Sequence, residues 1–342
     1  MKKSPVKIAV IGYGYWGPNV LRAFNETGQA EVVMCCDLKE NKLQIVNQRY
    51  PSIKTTTDVN NLITNVNVDA VIIATPLSSH FALTAKVLNS KKHVWVEKPM
   101  TENSQQAKQL IKLAAQNKKI IFVDHIFLYT RAVSYLKQFI RDGNLGKAYY
   151  FDSIRINLGI FQPDSNVIWD LATHDIYIMC YLLGGIPKTV SAYASSHIKA
   201  GLEDMAYLNF TFDKGISAHI AVSWLSPVKI RRTLIAGSKK MITYDDLETS
   251  EKIKIYDYGV SIKKSYRPES STTGHQYRTG DIHSPALESR EALQIAAGHF
   301  IDCINYGKQP LTDGKEGHKV VKILEAASLS LKHGGRIEKI LK

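Results

Sequence analysis

The chain has 342 residues, 44% of them hydrophobic and 22% charged, with 44 Lys and Arg against 31 Asp and Glu for a net charge of +13. That composition builds ordinary packed cores and excludes disordered, collagen-like and mucin-like classes, while the length predicts two domains at about 100–200 residues each. The positive charge suits an anionic partner, whether phosphate, nucleotide or nucleic acid, without choosing among them.

Met1-Lys2-Lys3-Ser4-Pro5 leads into a strand without a signal-peptide core, and no apolar run approaches the roughly 18 residues of a membrane span, so a cytoplasmic protein with no membrane partner is expected. Val6 to Ile11 is a short apolar run. It ends in Gly12-Tyr13-Gly14-Tyr15-Trp16-Gly17 before a helical stretch through Phe24, which reads as strand, glycine turn, helix. A second strand, Glu31 to Cys36, closes on Asp37, and a polar helix runs from about Lys39 to Tyr50. Asp69 to Ala74 and His93 to Val96 predict two more buried strands, each followed by a helix, near Ser78 to Asn89 and Ser104 to Asn117; Lys119 to Val123 adds a further strand. Continuous apolar strands alternating with helices imply a doubly wound parallel sheet of the Rossmann type. A boundary is expected near 123, giving a dinucleotide-binding domain over 1–123 and a substrate-binding and oligomerisation domain over 124–342, with the last helices folding back on the first.

Each glycine has a physical role. Gly12 allows the tight turn, Gly14 lets backbone N–H groups approach a pyrophosphate, and Gly17 lets the helix pack close to the strand with its N-terminus facing the anion. Asp37, twenty residues after Gly17, is placed to accept adenosine ribose hydroxyls, which predicts NAD; Lys39 and Lys42 keep NADP open.

Beyond Val123 the pattern changes. A helix is predicted over Arg131 to Arg141, a strand over Lys147 to Leu158, and a helix over Asn166 to Leu183 ended by Gly184-Gly185. Strands follow at Thr189 to His197, Met205 to Phe212, Ile216 to Trp224, Ile230 to Ala236, Met241 to Asp245 and Lys252 to Tyr258, with no helix between them. They predict a mostly antiparallel open sheet of about half a dozen strands in an α/β domain. Tyr266 to Ser284 is polar and reads as a long loop, a lid or a partner-touching arm. Helices over Ser289 to Tyr306 and Gly314 to His333 close the chain. Cys35, Cys36, Cys180 and Cys303 lack CxxC spacing, so buried thiols are expected, with neither zinc nor disulfides.

Ligands bind at the carboxyl ends of parallel strands. Two such ends carry unusual residues, Thr75-Pro76 and Glu97-Lys98-Pro99. Pro99 holds Lys98 extended at the sheet's mouth, where an ammonium can stabilise an alkoxide; a solvated surface lysine is the plainer alternative. Asp170 and His174 stand four apart on the next domain's helix, so both lie on one face, continued by Tyr177 and Tyr181. His174 is a candidate general base with Asp170 positioning substrate or tuning the imidazole; a helix ion pair is the plainer alternative.

The glycine turn, ATPLSSH over 74–80, Glu97-Lys98-Pro99, NLGKAYY over 144–150 and WDLATHD over 169–175 together resemble the Gfo/Idh/MocA family of NAD(P)-dependent sugar oxidoreductases over nearly the whole chain. The resemblance implies that Lys98 and His174 are the catalytic pair, with Asp170 as the associated acid, and that the C-terminal sheet forms a homodimer or homotetramer. Candidate cofactor contacts are Gly12, Gly14, Tyr15, Trp16, Gly17, Asp37, Thr75, Pro76, His80, Glu97 and Lys98. The sequence departs from the commonest family pattern at Leu77 and at Asp124-His125, where many members carry Gly-His. By resemblance the substrate is a sugar or nucleotide sugar, best a UDP-N-acetylhexosamine or its uronate oxidised at C3 for surface polysaccharide synthesis, with Arg155, Asn157 and Tyr277 as candidate substrate contacts. A free-sugar or inositol dehydrogenase and a non-catalytic dinucleotide-binding regulatory module are the alternatives. Scattered basic residues without an RNA- or DNA-binding motif argue against a nucleic-acid partner, and no metal ligand set is present.

Overall fold

The computed structural model describes residues 4–162, 164–262 and 275–340. In chain order the first elements are β1 (Val6–Ile11), α1 (Gly17–Glu26), β2 (Ala30–Cys36), α2 (Glu40–Arg49), β3 (Lys54–Thr56), α3 (Val59–Ile63), β4 (Ala70–Ile73), α4 (Leu77–Asn89), β5 (His93–Val96), α5 (Ser104–Asn117) and β6 (Ile121–Val123). There follow α6 (Arg131–Arg141), β7 (Ala148–Leu158), α7 (Thr173–Leu183), β8 (Thr189–Ser195), β9 (Met205–Thr211), β10 (Ser217–Ser223), β11 (Leu225–Gly237), β12 (Met241–Asp245), β13 (Ile253–Ile262), β14 (His275–His283), α8 (Ala292–Tyr306), α9 (Gly314–Lys332) and β15 (Glu338–Lys339).

Internal contacts divide the chain into two units, one reaching to Thr130 and resuming over Arg290–Glu325, the other formed by Arg131–Ser289 with Ala326–Lys342. Against a single expected boundary at 123, the chain leaves the first unit at Thr130 and later returns to it. The return has an aromatic cause. Phe300 of α8 packs edge-on against Phe24, Trp95 and Phe122, while Trp95 and Phe122 stack with centroids 4.2 Å apart. Aromatic rings bury large apolar areas, so this cluster holds α8 against the first unit's sheet.

The first unit's six strands run in the order β3-β2-β1-β4-β5-β6, every pair parallel. All four residues of β4 are buried, as a strand covered on both faces requires. Sequence order reverses between β1 and β4, which makes their carboxyl ends, at Ile11 and Ile73, the switch point where such sheets bind ligands. The polar edge strand β3 and the five-residue α3 carry too little apolar pattern to be read from sequence.

In the second unit nine strands run β14-β13-β12-β11-β7-β10-β9-β8-β15. The sheet is mostly antiparallel as expected, with one parallel pair, β7 with β10, and more strands than sequence alone gave. Part of the polar segment assigned to a loop, residues 275–283, is instead strand β14, hydrogen-bonded to β13; residues 266–274 lie outside the described residues. All nine β14 residues are exposed at the sheet's edge, so no buried face imposes the apolar alternation by which strands are recognised.

Under α7 lies a buried ion pair. Arg155 Nε of β7 donates to Asp175 Oδ2 at 2.6 Å, and Ser153 Oγ donates to Asp175 Oδ1 at 2.7 Å. Both charged side chains are almost wholly buried, 4% and 3% exposed. Arg155 was expected to meet a substrate anion, but its charge is met inside the unit by Asp175, one residue beyond His174. This bond anchors the helix that carries the histidine to the sheet.

Removing one member of such a pair strands the other charge away from water. Arg155→Met is therefore expected to lose about 3–5 kcal/mol of stability, and Arg155→Met with Asp175→Leu much less, measured by urea unfolding of both variants. Equal losses in the single and double variants would contradict the pairing.

Candidate active site

The glycine turn is built by exclusion of side chains. Gly12 has φ +95°, and a Cβ there would lie 2.4 Å from the Ala74 carbonyl oxygen; one on Gly17 would lie 2.1 Å from the Gly12 carbonyl oxygen. A Cβ on Gly14 would meet no protein atom within 4 Å. Nothing in the protein requires that third glycine, so its backbone is left open to a ligand, as a pyrophosphate cradle demands. At the start of α1 no side chain caps the helix, Pro18 occupies the first turn, and no acidic residue competes for an anion. The positive end of the helix dipole thus faces the turn.

Asp37, just beyond β2, accepts from Tyr13 N at 2.7 Å through Oδ2 and from Lys39 N at 2.9 Å through Oδ1. Each oxygen keeps a lone pair for a ribose hydroxyl, and the two bonds hold the carboxylate beside the turn. These residues fit the adenosine and pyrophosphate parts of NAD. Tyr15 is 81% exposed. Trp16 turns inward, its Nε1 donating to Asp124 Oδ2 at 3.0 Å.

Next to the switch point, Thr75 Oγ1 lies 2.6 Å from Ser79 Oγ, which donates to the Pro76 carbonyl. His80 is a buried bracket: Nδ1 lies 2.8 Å from the Pro99 carbonyl oxygen and Nε2 lies 2.8 Å from that of Thr75. Carbonyls only accept, so both contacts are hydrogen bonds when the ring carries two protons. His80 thereby ties the turn after β4 to the turn after β5, where Lys98 precedes Pro99 through a cis peptide bond.

Two acids were not anticipated as a pair. Glu97 and Asp124 follow the paired strand ends Val96 and Val123, and burial, reinforced for Glu97 by the second carboxyl, holds both carboxyls above the usual range. Glu97 also accepts from the backbone N–H of Lys98. The adjacent His125 is buried, and desolvation followed by the Lys98 charge pushes its pKa down to about 3, so it stays neutral. The sequence signal for Asp124 was its departure from the Gly-His commonly found there. Cys35 and Cys36 at the end of β2 are likewise inert, their thiols pushed up to about 12 and about 11 by burial.

In the second unit Ile168–Ala172 is a π-helical turn leading into α7. Its wider i→i+5 winding breaks the simple four-residue spacing assumed for Asp170 and His174. Asp170 Oδ2 accepts from Trp224 Nε1 at 3.1 Å, and His174 Nδ1 lies 3.1 Å from the Tyr177 hydroxyl. Tyr181 packs under Lys137, whose Nζ sits 5.1 Å from its ring centroid, rather than extending the Asp170 face. Half-buried Asn157 falls on the side of β7 that holds Phe151, Ser153 and Arg155. Tyr277 is 74% exposed on β14, and its neighbour Arg278 is paired with Asp257.

Residues 6–125 match the oxidoreductase family model described as the Gfo/Idh/MocA NAD-binding Rossmann fold, and residues 133–243 match the C-terminal domain model of the same family. The chain is 23% identical to a D-apiose dehydrogenase from Paraburkholderia graminis, over 97% of this chain and 89% of the relative. It is 28% identical to a UDP-N-acetylglucosamine 3-dehydrogenase from Acidithiobacillus ferrooxidans, over 74% of this chain and 76% of the relative. The WlbA dehydrogenase from Bordetella pertussis, solved with NADH and UDP-GlcNAcA, superposes with a TM-score of 0.82 at 17% identity, covering 100% of this chain and 99% of that one. Among the described residues no helix is long and apolar enough to cross a membrane. With two consecutive domain models of one family matched, and a glycine turn shaped for the pyrophosphate, the chain belongs to the Gfo/Idh/MocA family of NAD-dependent oxidoreductases.

Proposed function

We propose that the protein oxidises a sugar hydroxyl to a ketone, with the C3 hydroxyl of a UDP-N-acetylhexosamine or its uronate as substrate, in surface polysaccharide synthesis. The observation that carries the reaction class is the NAD cradle at the switch point of a sheet whose next carboxyl end presents Lys98. The nucleotide-sugar reading is supported by the 28% identity to a UDP-N-acetylglucosamine 3-dehydrogenase. A free-sugar dehydrogenase is the second reading, favoured by the fuller coverage of the D-apiose enzyme.

His174 takes the hydroxyl proton as general base, its ring oriented by the Tyr177 hydroxyl. Asp170, steadied by Trp224, positions the substrate. The Lys98 ammonium stabilises the alkoxide as charge develops on oxygen. NAD⁺, when bound, supplies the hydride acceptor. Asn157 and Tyr277 are proposed as sugar or nucleotide contacts. The protein is proposed to be a cytoplasmic homodimer or homotetramer joined through the second unit's sheet, whose face opposite Ser153 and Arg155 exposes the cross-strand pair Tyr193 and Tyr207, with His219 and Asp152 on the neighbouring strands.

Lys98→Met is expected to keep NAD⁺ affinity and lower kcat by about 10²–10³-fold, read by NADH absorbance and by cofactor titration; undiminished turnover contradicts the lysine's role. A base must be neutral to work, so kcat/KM for the oxidation should rise with pH along a limb set by His174. In His174→Asn that limb should vanish with a fall of about 10²–10⁴-fold, and an unchanged profile moves the base elsewhere. Assayed with UDP-sugars, free sugars and inositols, the protein should reduce NAD⁺ fastest with a UDP-N-acetylhexosamine or its uronate; preference for a free sugar favours the second reading, and inactivity with all of them favours a regulatory module.

A further inference from the structure

Two buried carboxyl groups that the mechanism does not use stand directly behind Lys98. Asp124 is 1% exposed and follows β6. Its Oδ2 is satisfied by the Trp16 indole N–H at 3.0 Å, while its Oδ1 and Glu97 Oε1 are both buried without a protein donor. The backbone N–H of Lys98, the next residue, acts as a donor to the Glu97 carboxyl. Carboxylate oxygens can only accept, so two of them meeting without a donor are repulsive unless one carboxyl keeps its proton. A single proton between them meets both unfilled valences and leaves one negative charge on the pair. The charged group bearing on the pair is the Lys98 ammonium, since neighbouring His125 is neutral and Trp16 is an uncharged donor.

We propose that Asp124 is a positioning residue that shares one proton with Glu97, completing a buried hydrogen-bond chain from the Trp16 side of the cofactor turn to the backbone of Lys98. The chain runs from the Trp16 indole N–H to Asp124, through the shared proton to Glu97, and on to the Lys98 N–H. Trp16 is the N-cap residue of α1, so the chain fixes the mouth of the pyrophosphate cradle and the orientation of the lysine by one set of bonds. The single net charge is a counter-ion for the ammonium, and a second would bring two like charges together in a buried site. This proposal rests on the reading of Lys98 and of the NAD cradle given above, but its protonation state is testable without either.

The sign of its pH dependence is fixed. Burial, joined for Glu97 by the partner carboxyl, raises the folded pKa of the pair above the unfolded carboxyl value of about 4, so folding takes up a proton. The pair's contribution is fully present below that unfolded value and is lost as pH rises through the folded one. Asparagine at 124 replaces the proton by an amide: its N–H₂ donates to Glu97 and its carbonyl accepts from Trp16 at every pH.

The test compares wild type, Asp124→Asn and Asp124→Ala. Infrared spectra of the cofactor-free protein at neutral pH should show the C=O band of a protonated carboxylic acid that disappears in Asp124→Asn. Thermal unfolding across about pH 5–9 should show wild type losing stability relative to Asp124→Asn as pH rises. Asp124→Ala should weaken NAD⁺ binding about tenfold, with Asp124→Asn restoring it. Absence of the protonated-acid band, or a parallel pH dependence of stability in wild type and Asp124→Asn, overturns the shared proton. Wild-type affinity in Asp124→Ala overturns the positioning role. Should Lys98→Met stay active while the band and the asparagine rescue are seen, the lysine's catalytic assignment fails and the shared proton stands.

Discussion

A Cβ on Gly17 would lie 2.1 Å from the Gly12 carbonyl oxygen, the tightest such approach among the described glycines of the first unit. Because neither position has a side chain, α1 starts almost in contact with the end of β1, and the positive end of its dipole opens onto the switch point of the sheet. Everything assigned to the cofactor follows from that approach. Asp37 bonds back to Tyr13 within the turn, Trp16 swings inward to Asp124, and Gly14 is left facing open space. A methyl group at 12 or 17 would push the helix away and separate these partners.

Around this turn the polar groups with least access to water are engaged in pairs that hold loops rather than in surface display. His80 brackets the turns after β4 and β5, Asp124 meets both Trp16 and Glu97, and in the second unit Arg155 and Asp175 hold α7 to β7. Buried polar groups left without partners are costly, so each bond restricts where its loop can go. The net charge of +13 is correspondingly uninformative about the site, since the one buried arginine that tempted an anion-binding reading is neutralised by its neighbour.

The sequence made the regular parts of both units legible. The strand-turn-helix of residues 6–26, the helix over Arg131 to Arg141 and the strand over Met241 to Asp245 each carry the local period of the element they form. What escaped it depends on partners distant in the chain. The π turn at Ile168–Ala172 changes which residues share a face without changing composition, and β14 shows no alternation because both its faces are exposed. The return of Phe300 to the ring cluster around Trp95 depends on a contact some two hundred positions away in sequence. Within the site, Gly12, Gly17 and Asp37 were readable because backbone geometry dictates them. The pairing of Glu97 with Asp124 was not, since it depends on the register in which β5 and β6 pair, Val96 beside Val123, which neither strand's own residues announce. The family resemblance gave Lys98 and His174 their roles, and it could not give the acid pair because Asp124 departs from the common pattern.

Movement of a hydride from a sugar carbon to NAD⁺ underlies every role proposed for these residues. Supplying UDP-N-acetylglucosamine and its uronate deuterated at C3 with unlabelled NAD⁺, and analysing cofactor and sugar by mass spectrometry, reads it out. Deuterium in the reduced cofactor and a 3-keto sugar nucleotide are expected. A keto product formed without label in the cofactor, or no reduction of NAD⁺ by these or any other sugars, would contradict hydride transfer.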